Sequence, residues 1–405
     1  MKECRICKSP IVPFMSFNKM PIANGFLTPD QFSREYFFEM AVGHCSSCQM
    51  VQLIDQPDRE MMFHENYAFF SSTSKNMAVH FKEFADLVMK NHLSPKDPFV
   101  VELGSNDGIM MQFFKDKGVR HLGVEPSANV AEAARAKGIN TVCGFFDEKL
   151  AEKIAAENGQ ADAILAANVM CHIPYLHSVV AGFKRLLKPE GIIMFEDPYL
   201  GDIVENTLYD QIYDEHVFLF SAASVSYLFE QHGLELVDVM PQTTHGGSMR
   251  YVLAHKGAKR VSAAVAAQRS KEEKLGLHLP ATYEGFHRNI QASRDELVRL
   301  LTDLKKQGKR VVGYAATSKS TTINNYCGIG SDLVEYISDT TPMKQGRYSP
   351  GTHIPVKPYT DFCAKYPDYA LLYAYNHAAE VMAKESKFME AGGKWIVYVP
   401  KVKIL

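Results

Sequence analysis

The segment Val100-Val101-Glu102-Leu103-Gly104-Ser105-Asn106-Asp107-Gly108 decides how this chain is read. With Pro98-Phe99 before it, its first half is a short apolar run that reads as a buried strand. Gly104 ends the strand, and Gly108 opens the stretch 108–117, which reads as a helix. Glycines at such a junction let the backbone turn sharply and approach a ligand closely. The spacing is not G-x-G-x-x-G and no Walker lysine follows, so dinucleotide and triphosphate loops fit less well.

Outward from this loop the pattern alternates. A strand at His121–Glu125, a helix at Ala128–Lys137 and strands at Asn140–Cys143, Ala163–Ala167 and Gly191–Glu196 follow. Upstream, Met77, Phe81, Phe84, Ala85 and Val88 recur at helical spacing between Ser74 and His92. Strands alternating with helices predict a doubly wound parallel sheet. After a helix-rich stretch, Ser262–Gly308, the pattern restarts with strands at Arg310–Ala315, Leu333–Ser338, Tyr369–Ala374 and Trp395–Val399. The expected fold is α/β in three parts: a small zinc-binding domain (1–70), a central Rossmann-like domain (71–260), and a helical bridge with a second Rossmann-like α/β domain (261–405).

The zinc expectation rests on two knuckles, Cys4-Arg5-Ile6-Cys7 and Cys45-Ser46-Ser47-Cys48. Four thiolates complete a tetrahedron and leave no open position for water, so the metal is expected to be structural. His44 is then not needed as a ligand. The front of the chain, to about residue 65, otherwise looks irregular, with one strand at Phe37–His44 leading into the second knuckle. Cys143, Cys171, Cys327 and Cys363 stand singly, as reduced thiols do. Cys143 and Cys171 are expected to be small packing residues.

A chain of 405 residues is long enough for two or three cores. The formal net charge of -2 gives no reason to expect a nucleic-acid partner. No run nears the roughly 18 apolar residues of a membrane span. The start, MKECRICKSP, lacks an apolar signal core, so a cytoplasmic location is expected.

The opening segment resembles the E-x-G-x-x-x-G loop of class I S-adenosylmethionine (SAM) methyltransferases. That resemblance implies that Glu102, Gly104, Ser105, Asn106, Asp107 and Gly108 pass under the methionine end of SAM. Glu125, with Pro126, would hold the ribose hydroxyls. Phe146, in Gly144-Phe145-Phe146-Asp147, would flank the adenine. Asn168, in Asn168-Val169-Met170-Cys171-His172-Ile173, and Ser72 complete the implied cofactor set.

Further markers stand downstream: Tyr209-Asp210-Gln211-Ile212-Tyr213-Asp214-Glu215-His216-Val217-Phe218, His245-Gly246-Gly247-Ser248-Met249-Arg250, Asn325-Tyr326-Cys327-Gly328-Ile329, and the run from Lys344 through Arg347 and His353 to Val356. With the knuckles and Asn66-Tyr67-Ala68-Phe69-Phe70-Ser71-Ser72, they resemble the nucleotide-sugar C-methyltransferases of antibiotic and lipopolysaccharide sugar pathways. The resemblance covers essentially the whole chain. It implies methylation of carbon 3 of a GDP- or dTDP-linked 4-keto-6-deoxy sugar by a monomer, with inversion there. It makes His216 the general base, Tyr213 and Glu215 its neighbours, and His172 and Tyr67 further active-site residues. His245, Ser248, Arg250, Ser318, Lys319, Asn325, Lys344, Arg347 and His353 are expected on the substrate. Two departures stand out. Phe69 replaces a second tyrosine common in the family. Ala315-Ala316-Thr317-Ser318-Lys319-Ser320-Thr321 replaces a glycine-alanine-proline-alanine-lysine-glycine loop, keeping the lysine.

The chemistry suits these residue types. A 4-keto group acidifies the proton on carbon 3, and histidine is the natural base near neutral pH. Donors aimed at the carbonyl oxygen stabilise the enolate, a task open to the Tyr213 hydroxyl or His172. Two other classes compete: an RNA methyltransferase with a zinc ribbon, which needs a basic face, and a non-enzymatic SAM-binding protein, in which His216 is dispensable. The near-neutral charge argues against the first, and the Tyr-x-Glu-His cluster against the second.

Overall fold

The computed structural model of the chain describes residues 2–62, 71, 75–93 and 96–405. Tyr67, Phe69 and Ser72 lie outside the described residues.

The described residues form three sheets. The first contains β1 (Val12–Pro21), β2 (Phe37–His44) and β3 (Val51–Leu53), all antiparallel. In β2, Phe38, Met40 and Val42 are buried while Phe37 and Glu39 face out, the period-two pattern of a half-covered strand. The front of the chain is therefore richer in strand than its sequence suggested. Breaks in register between Pro13 and Met15, and between Ser16 and Lys19, disrupt the alternation in β1 and hide it from a pattern search.

The central sheet is built from β4 (Phe99–Leu103), β5 (Arg120–Glu125), β6 (Thr141–Cys143), β7 (Ala161–Ala167) and β8 (Leu187–Pro198). A short strand, β9 (Phe218–Leu219), leaves this unit and pairs with β3 of the first sheet. The chain then returns as β10 (Leu234–Gln242) and β11 (Ser248–His255). The order is β10-β11-β8-β7-β4-β5-β6. Strands β4 to β8 run parallel, whereas β10 and β11 are antiparallel, so the expected wholly parallel sheet is a mixed one.

The long helix Pro280–Lys306 bridges to the third sheet and also covers the first, where Phe14 and His44 stack on Tyr283 at 4.9 and 4.5 Å. The third sheet holds β12 (Val311–Tyr314), β13 (Ile337–Asp339), β14 (Val356–Pro358), β15 (Tyr369–Leu372), β16 (Lys394–Val397) and β17 (Lys403–Ile404). Its order is β14-β13-β12-β15-β16-β17, parallel apart from β17. No described helix is long and apolar enough to cross a membrane.

Candidate active site

The four knuckle cysteines converge as the spacing implies. Sγ of Cys4 and Cys48 lie 3.5 Å apart, Sγ of Cys7 and Cys45 3.3 Å apart, and all four fall within 4.8 Å of one another. A tetrahedron with Zn–S bonds of about 2.3 Å has sulfur edges of about 3.8 Å. The donor set and its size fit zinc, which supplies a structural crosslink there. Cys171 is buried as expected, but Cys143 is exposed and is not a packing residue.

A cavity of about 370 Å³ opens where the three sheets meet, a size in the usual range for small-molecule sites. Its walls carry Gly104, Asn106, Glu125, Pro126, Phe146 and Asn168 at one end. His172, Tyr213, Glu215 and His216 also line it, Ser318, Lys319 and Lys344 come from the third sheet's unit, and His245 sits beside Asn168.

The glycine-loop end follows from the junction after β4. Gly104 adopts φ +60, and a Cβ there would drive into the Val169 side chain; Gly108 at φ +80 is hemmed by Ile139 in the same way. Only glycine satisfies both constraints cheaply. Glu125, at the end of β5, accepts from the backbone N–H groups of Asn106 (2.9 Å) and Ser127 (2.8 Å). Burial still raises its pKa. Glu102 is buried beneath the loop and pushed well above the usual carboxylate range by burial, reinforced by Glu125 and Asp107. Glu102, Ser105, Asp107 and Gly108 support the turn without lining the cavity, and Asp107 pairs with Lys137 at 2.9 Å.

Three non-glycine residues with positive φ line the cavity: Asn106 (48), Asn168 (55) and His245 (57). Such conformations cost energy and concentrate where the surrounding structure imposes them. Asn168 and His245 hold each other, Nδ2 to Nε2 at 2.8 Å. Burial, reinforced by Lys319, lowers the His245 pKa to about 3.

His216 follows a turn at residues 214–215 and precedes β9. Its Nδ1 lies 2.7 Å from the Gln211 carbonyl. A carbonyl only accepts, so Nδ1 carries the proton and Nε2 is the lone-pair nitrogen. That Nε2 stands 2.7 Å from the Tyr213 hydroxyl, which donates to it. The His172 ring lies 5.2 Å away, at 25° to the His216 ring. Burial pushes His216 well below 6.5, with the His172 ring adding to the effect. His172 is lowered to about 4 by burial. Both imidazoles are neutral at physiological pH.

The far end is cationic. Lys319 is buried in the first turn of the helix Ser318–Cys327, and its Nζ has no hydrogen-bond partner among the described residues. Burial lowers its pKa against the pull of Asp210. Lys344 bonds the Ala316 carbonyl at 2.8 Å and sits over the Phe26 ring.

Five residues expected on the substrate do not line the cavity. Arg250 is buried against Glu196 (2.7 Å) and over the Phe84 ring (3.9 Å), tying the helix Lys75–Asn91 to the central sheet. Ser248 donates to the Thr244 carbonyl. Asn325 donates to the Thr321 and Pro350 carbonyls. Arg347 donates to the Phe26 carbonyl, and His353 pairs with Glu35 at 2.7 Å while stacking on Phe32. In this structure these last two join the third sheet's unit to the first.

Sequence reasoning missed Asn24, Arg59, Tyr175, Asn376 and His377, which all line the cavity. Arg59 lies over Phe145 (4.2 Å) and Tyr175 (5.0 Å). None of these sits in a motif; only the folded arrangement of remote segments gathers them.

A glycine-turned strand–helix junction with an acid on the next strand, opening onto a neutral histidine, defines a SAM-dependent methyltransferase with a zinc-stapled front module. The family comparisons agree in chain order. Residues 4–63 match a zinc-binding domain, 77–239 a methyltransferase domain and 243–400 the C-methyltransferase C-terminal domain. Over 406 aligned positions, covering 100% of this chain and 96% of the other, the chain is 32% identical to the C-methyltransferase NovU of Streptomyces niveus. The chain belongs to this C-methyltransferase family. A ubiquinone biosynthesis O-methyltransferase of Colwellia psychrerythraea is 24% identical over 155 residues, 35% of this chain and 63% of that one. Among solved structures, the magnesium protoporphyrin IX methyltransferase of Synechocystis PCC 6803 aligns with a TM-score of 0.35 and 11% identity, over 44% of this chain and 83% of that one.

Proposed function

We propose that this C-methyltransferase methylates carbon 3 of a nucleotide-linked 4-keto-6-deoxyhexose, a GDP- or dTDP-sugar, in building a branched deoxysugar for a lipopolysaccharide or a natural product. The observation that carries the reading is the Tyr213–His216 pair on a wall shared with the glycine loop and two lysines, Lys319 and Lys344. A carbon nucleophile needs a base, an oxyanion donor and an anchored substrate, and His216, Tyr213 and the lysines on this one cavity wall suit those three tasks.

His216 Nε2 takes the proton from carbon 3. Its Nδ1–H bond to Gln211 fixes the ring and the tautomer. Burial keeps the ring neutral and therefore ready to act as base. Once protonated, His216 offers two donors and no acceptor. The Tyr213 oxygen must then accept from Nε2, and its own proton turns outward. The enolate oxygen is forming at that moment, so Tyr213 becomes its donor as the charge appears. His172 is the second polar group beside it. Bound SAM supplies the electrophilic methyl. Lys319, Lys344 and the helix N-terminus at Thr317–Ser318 suit the phosphates of a sugar nucleotide. Tyr67 belongs to the same proposed catalytic set, and Ser72 to the proposed cofactor set. The reading also expects a monomer working in the cytoplasm, without a nucleic-acid or membrane partner.

The test is a panel of GDP- and dTDP-linked 4-keto-6-deoxy sugars with SAM. Methyl transfer to carbon 3, or solvent deuterium entering there, is expected. Turnover of an RNA, with every sugar inert, sinks the reading.

A further inference from the structure

The front module does more than hold a metal: it forms part of the cavity wall. Asn24 lies just past the end of β1, yet its side-chain Nδ2 is 3.2 Å from Glu215 Oε1, and both residues line the cavity. The loop that presents Asn24 is anchored on each side. The Ala23 N–H donates to both carboxylate oxygens of Asp214 at 3.2 Å, and the Ala23 carbonyl accepts from the Thr321 hydroxyl at 2.8 Å. Next along, Leu27 exchanges backbone hydrogen bonds with Tyr348 at 3.1 and 2.9 Å.

We propose that Asn24 is a positioning residue: its carboxamide fixes the rotation of the Glu215 carboxylate beside the Tyr213–His216 pair. The inference rests on the assignment of Glu215 to the catalytic cluster. Asp214 and Glu215 are consecutive buried acids. Two neighbouring carboxylates repel, so each needs its own donor to be held in place. The chain answers with consecutive donors from one loop, the Ala23 amide for Asp214 and the Asn24 carboxamide for Glu215. An asparagine cannot ionise, so its donor persists at every working pH. No metal ligand is involved, and the knuckle cysteines are remote in sequence from this loop.

The experiment uses the full zinc-loaded chain with Asn24→Ala and Asn24→Asp. A hydrogen bond to a charged group is worth enough that Asn24→Ala should lower kcat about tenfold or more, with SAM affinity and zinc content unchanged. Asn24→Asp places a third carboxylate against Glu215. Carbon-13 NMR of glutamate-labelled protein, assigned with Glu215→Gln, should then show Glu215 titrating about one pH unit or more higher. Wild-type kcat in both variants overturns the proposal, as does an unmoved Glu215 titration in Asn24→Asp. Parallel loss of SAM affinity and zinc also overturns it, since that marks a folding role. The NMR arm needs no sugar. An inert sugar panel with a shifted Glu215 therefore defeats the substrate reading and leaves the positioning role standing.

Discussion

The Tyr213 hydroxyl and His216 Nε2 stand 2.7 Å apart, and the Gln211 carbonyl on the opposite ring nitrogen dictates which of the two donates. Under the proposed mechanism this pair makes base and oxyanion donor interdependent. His216→Asn is expected to lower kcat by about two to four orders of magnitude, the usual worth of a general base, while SAM binding by calorimetry stays intact. Tyr213→Phe should lower kcat as well and leave SAM binding unchanged. Wild-type turnover in His216→Asn would remove His216 from the chemistry.

The lysine end predicts a different kinetic signature. Lys319→Met and Lys344→Met each remove a cavity-lining cation at nearly constant volume. Losing a charge-assisted contact to phosphate should raise KM for the sugar nucleotide about tenfold or more, with a smaller change in kcat. An unchanged KM in both variants would place the phosphates elsewhere.

The pH profile follows from the direction of the His216 shift. A base must be unprotonated, and burial, helped by the neighbouring His172 ring, places the His216 pKa well below 6.5. The kcat/KM profile should therefore stay level as pH falls from 8 through 6.5 and decline only in more acidic solution. Lys319 also disfavours the His216 cation. In Lys319→Met the acid limb should move toward higher pH. A wild-type limb centred above 6.5 would contradict the assignment.

Zinc removal should be felt beyond the knuckles. Leu53 donates to the Val217 carbonyl at 2.8 Å, and Val51 pairs with Leu219. Chelation should strip hydrogen-exchange protection from β3 and β9 together and lower kcat, because β9 begins two residues past His216. If β9 stayed protected in the zinc-free protein, the metal module and the base would be independent.

The central sheet was legible because its strands are continuous apolar runs between glycine-marked turns; β4, β5 and β7 lie where the sequence put them. The antiparallel pair β10 and β11 was not read, since nothing local distinguishes strands that return antiparallel at one side of the sheet. β1 was missed because its register breaks interrupt the alternation. Within the cavity, Gly104 and Glu125 were visible through their place in the strand–loop pattern, and His216 through the motif that carries the family resemblance. Asn24 and Arg59 were not, because their relevance depends on which surfaces meet. The sequence also offered Arg347 and His353 as phosphate ligands. Charge and proximity to a motif do not reveal that Phe26 and Glu35 already engage them.

The dipeptide Phe218-Leu219 bears on how such enzymes can be recombined. A chimera that exchanged only the cysteine-bearing front for a relative's would bring in a β3 edge with no matched strand to receive it. The foreign sheet would have to accept the host's Phe218-Leu219 side chains or leave backbone groups exposed. Viable exchanges should therefore carry the 209–220 segment along with the front module, making the inheritable unit discontinuous in sequence although contiguous in space.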